Sequence, residues 1–338
     1  MSSSLTRAPV IHQRNNLKAL AFIDLLGFSQ MVTKDYDKSK NILNDFYNLT
    51  FDMIKNEPEI EGDLFSDSLL AHSSNPALLL NTLSKIYREC LKKNDSYNQD
   101  DLSHFFLLPR GGISFGVVDI QNRTEAPNLA KNFIVSPALV HSAKMESQIK
   151  GSRLLVADLD DNTRPIFNWN NDVKCVLYEN STFTFWNNFK YSDALWFLDL
   201  SKEHHEQKQK VSNLIDISIK LIHANSRNSN KVLEQHLQTL RIGLLSYSKF
   251  LSPNSNPIIT RIIREFEDEQ YWLVWLTLFE MVMQSPDNWA FTSNEELITF
   301  YKNVSLKKSW SNVIKEINTP RNEYLKDLLN NFVQELTI

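Results

Sequence analysis

Apolar residues in the first two hundred positions change their spacing repeatedly, from short runs to periods of three and four. Short runs rich in β-branched and aromatic residues predict strands, whereas the longer period predicts amphipathic helices. The predicted strands cover residues 19–26, 60–71, 105–118 and 153–157, the predicted helices cover 36–55, 77–93 and 134–150, and closing strands are predicted at 175–178, 182–186 and 194–200. Helices that alternate with strands in this way favour an α+β sandwich around one sheet, over residues 17–200.

The apolar spacing is helical almost throughout the second part of the chain, residues 201–338. Apolar residues recur at every third or fourth position in 211–224, 232–251, 258–283, 295–304 and 323–336. Segments rich in Pro, Ser and Asn separate these stretches, as expected for joints between helices. The pattern predicts a C-terminal all-α bundle of about five helices. Residues 1–16 are predicted to form a flexible N-terminus.

Composition narrows the classes of partner. The chain has 338 residues and a formal net charge of −4, without the basic excess that nucleic-acid binding favours, so no nucleic-acid partner is expected. No apolar run approaches the length of about eighteen residues that a membrane span needs, and the N-terminus lacks the apolar core of a signal peptide. We therefore expect a cytoplasmic protein with no membrane partner. The two cysteines, Cys90 and Cys175, lie far apart and are predicted to be structural.

Two aspartates interrupt predicted strands that are otherwise apolar. Asp24 follows Ala-Phe-Ile and precedes Leu-Leu-Gly, and Asp67 lies in Leu-Phe-Ser-Asp-Ser-Leu-Leu. A carboxylate in such a strand loses hydration on folding, and a divalent cation shared by two carboxylates would compensate for that loss. The pair therefore predicts a metal site. An N-cap or a buried structural acid is the alternative for Asp24.

Two further segments carry basic residues beside backbone that suits an anion. Arg110 precedes two glycines at the start of a predicted strand, where a guanidinium and backbone amides could bind a phosphate. A structural salt bridge is the alternative for this arginine. Ser136 and Pro137 are residue types that cap and begin a helix, which presents Lys144 about two turns later. A solvated helix lysine is the alternative there.

Taken in order, these segments resemble the catalytic domain of class III nucleotide cyclases, and most closely the pyrimidine cyclases of the Pycsar antiphage systems. The matching residues are Asp24, Gly27, Phe28 and Ser29, then Ser66 and Asp67 in a hairpin, and then Arg110, Gly112, Ile113 and Gly116. The resemblance covers residues 17–200. It implies a ferredoxin-like α/β sandwich.

The same resemblance implies a set of site residues. Asp24, Asp67 and Leu25 would bind two Mn²⁺ or Mg²⁺ ions, and Arg110 would stabilise the negative charge that develops during catalysis. The residues implied to bind the nucleotide phosphates are Leu25, Gly27, Phe28, Ser29, Arg110 and Lys144. Because cyclases of this type assemble each site between two subunits, the resemblance also implies a head-to-tail homodimer with composite active sites.

Departures from the family pattern concern the base of the substrate. Purine cyclases usually carry a lysine four positions before the second metal aspartate and a polar residue before the later helix. Asp63 and Phe133 occupy these positions here and are the base-reading candidates. The asparagine and arginine of the later helix in the wider family fall on Val140 and Lys144.

The resemblance therefore implies a pyrimidine nucleotide cyclase that converts CTP to 3',5'-cyclic CMP and pyrophosphate. By resemblance, the product would be a second messenger that activates a separate effector during phage infection. Cyclic UMP formation from UTP is the first alternative. A purine cyclase and an inactive cyclase-like binding module are the others.

Overall fold

The computed structural model divides the chain into two compact units, Met1–Lys202 and Glu203–Ile338. No helix in the described part of the chain combines the length and apolarity needed to cross a membrane. The residues that the structure describes are 17–122, 132–157, 177–179, 191–199, 204–248, 261–262, 264–266, 268, 271–284, 298–299, 301–302, 310–319, 323, 326–327 and 330. The predicted N-terminus 1–16, the predicted strand 182–186 and Cys175 therefore lie outside the described residues.

The first unit begins with a βαββαβ arrangement. Its elements are β1 (Leu17–Leu25), α1 (Phe28–Lys34), α2 (Tyr36–Ile54), β2 (Ile60–Phe65), β3 (Ser68–Ser73), α3 (Pro76–Lys93) and β4 (Pro109–Val117). These strands lie in the order β2-β3-β1-β4, and every neighbouring pair is antiparallel. This connectivity is that of a ferredoxin-like sandwich. It confirms the predicted α+β class.

The remaining described elements of the first unit add three strands to this sheet, seven in all, and form a separate two-stranded sheet and a helix. They are β5 (Asp119–Asn122), β6 (Asn132–Val135), α4 (Pro137–Gln148), β7 (Leu154–Ala157), β8 (Leu177–Glu179) and β9 (Tyr191–Ala194). The strand β7 runs parallel to β4, β9 and β8 follow it, and β5 pairs with β6 in a separate two-stranded sheet. The crossover from β4 to its parallel neighbour β7 contains α4, as a parallel pair requires.

The helix α4 packs closely on β4 and β1. A Cβ atom at Gly112 would come within 2.7 Å of the Cβ atom of Met145, so glycine is needed where helix and strand meet. Gly112 pairs with Phe22, and directly opposite residues project from the same face of a sheet. Even-numbered positions of β1 therefore face α4. Asp24 is one of them.

Three predicted segments of the first unit have different bounds in the structure. The apolar spacing predicted a helix over 134–150, but residues 132–135 form β6 and α4 begins at Pro137. The predicted cap is confirmed, since the Ser136 hydroxyl accepts from the Leu139 amide. The predicted strand 194–200 ends at Ala194. Arg88 donates to the carbonyls of Trp196 and Leu198, which binds residues 195–199 as a turn against α3. The β-rich run 60–71 forms two strands, β2 and β3, and the hairpin predicted at Asp67 is confirmed.

The described elements of the second unit are helices. They are α5 (His204–Asn225), α6 (Asn230–Ser248), α7 (Trp272–Gln284) and α8 (Trp310–Ile317). The predicted helix 258–283 is wrong as one continuous helix: residues 261, 262, 264 and 265 are helical, a turn and a bend follow at residues 266 and 268, and the next helix begins at Trp272. The helix α8 was not predicted, although Trp310, Val313 and Ile317 are buried at helical spacing. Only isolated positions of the predicted helices 295–304 and 323–336 are described.

Candidate active site

Strand register places Asp24 between one polar and one basic residue. Asp24 pairs with Ser68 on β3 and with Arg110 on β4, and opposite residues of antiparallel strands share a face. The Ser68 hydroxyl donates to Asp24 Oδ1 at 3.1 Å. Arg110 Nη2 lies 3.6 Å from Asp24 Oδ2. The register thus surrounds the carboxylate with a hydroxyl and a guanidinium.

The hairpin turn between β2 and β3 brings Asp67 to the end of β1. Ser66 in this turn has a φ of 51°, in the left-handed region that few non-glycine residues adopt. The Leu25 amide donates to the Asp67 carbonyl at 3.1 Å, and the Tyr47 hydroxyl donates to the Ser66 carbonyl at 2.8 Å. These two bonds hold the turn beside Asp24. They bring Asp67 close to Asp24, although the two aspartates are distant in the sequence.

Electrostatics couple the two carboxylates. Burial and the negative charge of Asp67 raise the pKa of Asp24, while the Ser68 hydrogen bond and Arg110 act in the opposite direction. A cation beside the two carboxylates would offset the negative charge that disfavours the ionised form of Asp24. With the carbonyl of Leu25 they offer oxygen donors, which suit Mg²⁺ and Mn²⁺. Within the described ranges, no group of three or more His, Cys, Asp or Glu residues is arranged to hold a metal.

Glu146 is a third acid at this place, and it was not predicted from the sequence. Its Oε1 atom lies 2.7 Å from Arg110 Nη2, and only 10 % of its side chain is exposed. Burial raises the pKa of Glu146; Arg110 opposes this rise, and Asp24 and Asp67 add to it. Its position carried a signal: Ala138, Ser142 and Met145 mark the buried face of α4, and an acid on that face needs a partner.

Arg110 makes the salt bridge that was the alternative to a phosphate contact. It contacts Glu146 and Asp24, and Nη1 donates to the Ile149 carbonyl at 3.5 Å. Its Nε atom is buried and has no hydrogen-bond partner. The guanidinium is therefore shared between two acids and keeps one unused donor. Its role toward a phosphate stays a prediction.

The predicted phosphate loop lies between β1 and α1. Gly27 has a φ of 74°, and α1 begins at the next residue, Phe28. The amides of Leu25 and Leu26 are used in the fold, since they donate to the carbonyls of Asp67 and Leu108. No side chain caps α1. An anion would therefore meet the backbone between Gly27 and Ser29.

The remaining predicted residues are more scattered. Lys144 is half-buried on α4. Asp63 is exposed on β2 opposite Leu70, which itself pairs with Phe22, so Asp63 and Asp24 share a sheet face two strands apart. Phe133 pairs with Gln121 in the separate β5–β6 sheet, and its side chain lies outside the description. Strand register thus relates Asp63, but not Phe133, to the two aspartates.

Comparison with known proteins gives similarity in structure only. No protein-family model and no curated protein matches the chain. The guanylyl cyclase Cya2 is 15 % identical, with a TM-score of 0.43 over 53 % of this chain and 91 % of its own. A dimeric guanylyl cyclase domain of a RhoGC fusion protein from the fungus Blastocladiella emersonii is 14 % identical, with a TM-score of 0.40 over 53 % and 96 %. Adenylate cyclases from Trypanosoma brucei in their monomeric state give 14 % identity and a TM-score of 0.39 over 56 % and 91 %.

Proposed function

We propose that this chain is a nucleotide cyclase that forms a 3',5'-cyclic nucleotide and pyrophosphate from a nucleoside triphosphate. One observation carries the proposal: the Leu25 amide holds the Asp67 carbonyl at the end of β1 beside Asp24, and the charge of Asp67 helps to raise the pKa of Asp24. Two coupled carboxylates beside a glycine loop are suited to a metal-bound triphosphate. The sequence motifs at these residues agree with that chemistry.

In this reaction the ribose 3' oxygen attacks the α-phosphorus, and the bond from that phosphorus to the pyrophosphate oxygen breaks. Asp24, Asp67 and the Leu25 carbonyl would hold two Mg²⁺ or Mn²⁺ ions, which supply positive charge and ease loss of the hydroxyl proton. The backbone of Gly27 to Ser29 would bind the departing phosphates. Arg110 would donate to the charge that develops at the α-phosphate, and Lys144 would add positive charge.

The pyrimidine choice rests on Asp63. Its exposed carboxylate lies on the same sheet face as Asp24, at the position where the motif of purine enzymes has lysine. Cytosine presents an amino donor at the position where uracil presents a carbonyl acceptor. A carboxylate accepts from the former and repels the latter, so we propose CTP as substrate and cyclic CMP as product. UTP is the second choice.

Two further parts of the proposal concern assembly and biological role. We propose a head-to-tail homodimer in which each site uses residues of both subunits. The cyclic nucleotide would act as a second messenger on a separate effector in antiphage defence. Light scattering on the purified chain tests the first part: a monomer that is fully active would contradict it.

A panel of the four nucleoside triphosphates with Mn²⁺ tests the reaction itself. We expect cyclic CMP from CTP, and its loss in Asp24→Ala and Asp67→Ala. A cyclic purine product would contradict the pyrimidine choice. No product from any of the four would indicate a binding module. An Asp24→Ala protein as active as the unaltered chain would overturn the metal assignment.

The base contact has its own test. Asp63→Asn keeps the size of the side chain but replaces one carboxylate oxygen by an amide donor, which can face the uracil carbonyl. We expect the ratio of UTP to CTP turnover to rise about tenfold, a change of roughly 1.4 kcal/mol. An unchanged ratio would remove Asp63 from the base site.

A further inference from the structure

One guanidinium nitrogen serves two carboxylates in the candidate site. Arg110 Nη2 lies 2.7 Å from Glu146 and 3.6 Å from Asp24. Arg110 is therefore closer to Glu146, which has no predicted role, than to Asp24, the predicted metal ligand. Its side chain is 23 % exposed, and Asp24 is 21 % exposed, so the contacts are only partly screened by water.

The position of Glu146 is fixed by the packing of α4. Met145, its neighbour, lies against Gly112 so closely that no side chain fits there. The carbonyl of Ile149, three residues after Glu146, accepts a hydrogen bond from Arg110 Nη1. Glu146 and Ile149 thus hold the guanidinium from the helix side, while Asp24 approaches it from the strand side.

A guanidinium beside the Asp24 carboxylate competes with a metal cation for that carboxylate. If Glu146 lost its charge, Arg110 would have Asp24 as its remaining acidic partner, because within the described residues Arg110 forms ion pairs with these two acids. Asp24 would then be partly neutralised by the protein itself.

We propose that Glu146 is a positioning residue that holds Arg110 away from Asp24 and thereby keeps Asp24 available to a divalent cation. The inference rests on the proposed function in one respect, namely that Asp24 binds metal. It adds Glu146 to the site as a residue that acts through Arg110. Groups of this kind behind a metal ligand change metal affinity by about 10- to 100-fold.

Four proteins test it: the unaltered chain, Glu146→Gln, Arg110→Gln and the double variant. Mn²⁺ binding is measured by calorimetry without nucleotide. We expect Glu146→Gln to bind Mn²⁺ at least about tenfold more weakly, and the double variant to return to within about threefold of the unaltered chain. Arg110→Gln should bind Mn²⁺ at least as tightly as the unaltered chain.

Glu89→Gln is the matched control, since it removes an ion-paired glutamate on α3 that faces Lys92 instead of the site. It should leave Mn²⁺ affinity unchanged. Thermal unfolding of every variant reports whether the fold is kept, and Glu146→Asp, which keeps the charge, replaces Glu146→Gln if the latter does not fold. In that case we expect an intermediate Mn²⁺ affinity that Arg110→Gln again restores.

The outcomes separate this inference from the proposed function. A double variant that binds as weakly as Glu146→Gln would overturn the inference and make Glu146 a direct ligand. Equal Mn²⁺ affinity in all four proteins, with cyclic product still made, would overturn the inference alone. The expected pattern without product from any triphosphate would overturn the proposed function alone. No Mn²⁺ binding by the unaltered chain would overturn both.

Discussion

Two arginine–carboxylate pairs of the first unit differ in how completely their charges are matched. Arg153 Nε and Nη2 donate to the two oxygens of Asp193, each at 2.7 Å, and the side chains are 5 % and 1 % exposed. The guanidinium and the carboxylate therefore form a bidentate ion pair. This pair connects β9 to the residue just before β7. Its function is structural.

The donors and acceptors of the pair of Arg110 with Glu146 are less completely matched. One nitrogen is shared by Glu146 and Asp24, and Nε has no hydrogen-bond partner. Burial raises the pKa values of both acids in spite of the arginine. A matched buried pair specifies a fold, whereas an unmatched one leaves charge for a ligand. The difference between the two sites can be measured.

The largest effect is expected from the matched pair. Asp193→Ala would leave Arg153 buried without its carboxylate, and we expect a loss of about 3–5 kcal/mol in the free energy of unfolding. Native-state hydrogen exchange at the amides of β7 and β9 measures it. A loss below about 1 kcal/mol would show that solvent replaces the carboxylate and that the pair is not structural.

A smaller loss is expected at the unmatched pair. Arg110→Met keeps most of the side-chain volume, and it leaves behind the half-buried Asp24 and the buried Glu146, which both have raised pKa values. Because water and protonation can compensate, we expect a loss of about 1–2 kcal/mol. Hydrogen exchange at the amides of β1 and β4 gives the value. A loss equal to that of Asp193→Ala would make Arg110 as structural as Arg153.

The two aspartates could be predicted as site residues from the sequence because the signal lies in their immediate neighbours. Asp24 and Asp67 each lie among apolar residues, and a charge in such a run is costly whatever the topology. Strand and helix types followed from spacing in the same way. The register that sets Asp24 against Ser68 and Arg110 is tertiary and could not be derived from spacing.

The partners of the buried charges were not predictable for the same reason. Glu146 meets Arg110 only because α4 docks at Gly112, and Arg153 meets Asp193 only because β7 and β9 pair. The turn at 195–199 likewise depends on Arg88 from a distant helix. A sequence shows that a buried charge needs a partner, but packing decides which residue it is.

The third prediction reverses the sign of the effect. Asp24→Asn removes a carboxylate whose pKa is raised, so without metal it should stabilise the first unit by about 1 kcal/mol near pH 7. The ionised form is the one that burial and Asp67 disfavour. As pH falls through the raised pKa toward the ordinary value of 3.8, Asp24 takes up a proton and the advantage of asparagine disappears.

Unfolding of both proteins across this pH range, with and without Mn²⁺, measures the third prediction. Added Mn²⁺ should stabilise the unaltered chain more than Asp24→Asn, because a ligand stabilises the state that binds it. A variant that is less stable than the unaltered chain at neutral pH would make Asp24 a structural acid.

The smallest effect is expected at an exposed pair whose atoms are closer than those of either buried pair. Lys92 Nζ lies 2.6 Å from Glu89 Oε1 on α3, but the side chains are 46 % and 31 % exposed. Water solvates both charges almost equally well when they are apart, so Glu89→Ala should cost less than about 0.5 kcal/mol. Hydrogen exchange at the amides of α3 measures the change. If the loss approached that of Asp193→Ala, the distance between the charged atoms would decide the strength of these pairs. We expect a much smaller loss for Glu89→Ala, which would mean that exclusion of water and the number of matched donors decide the strength instead.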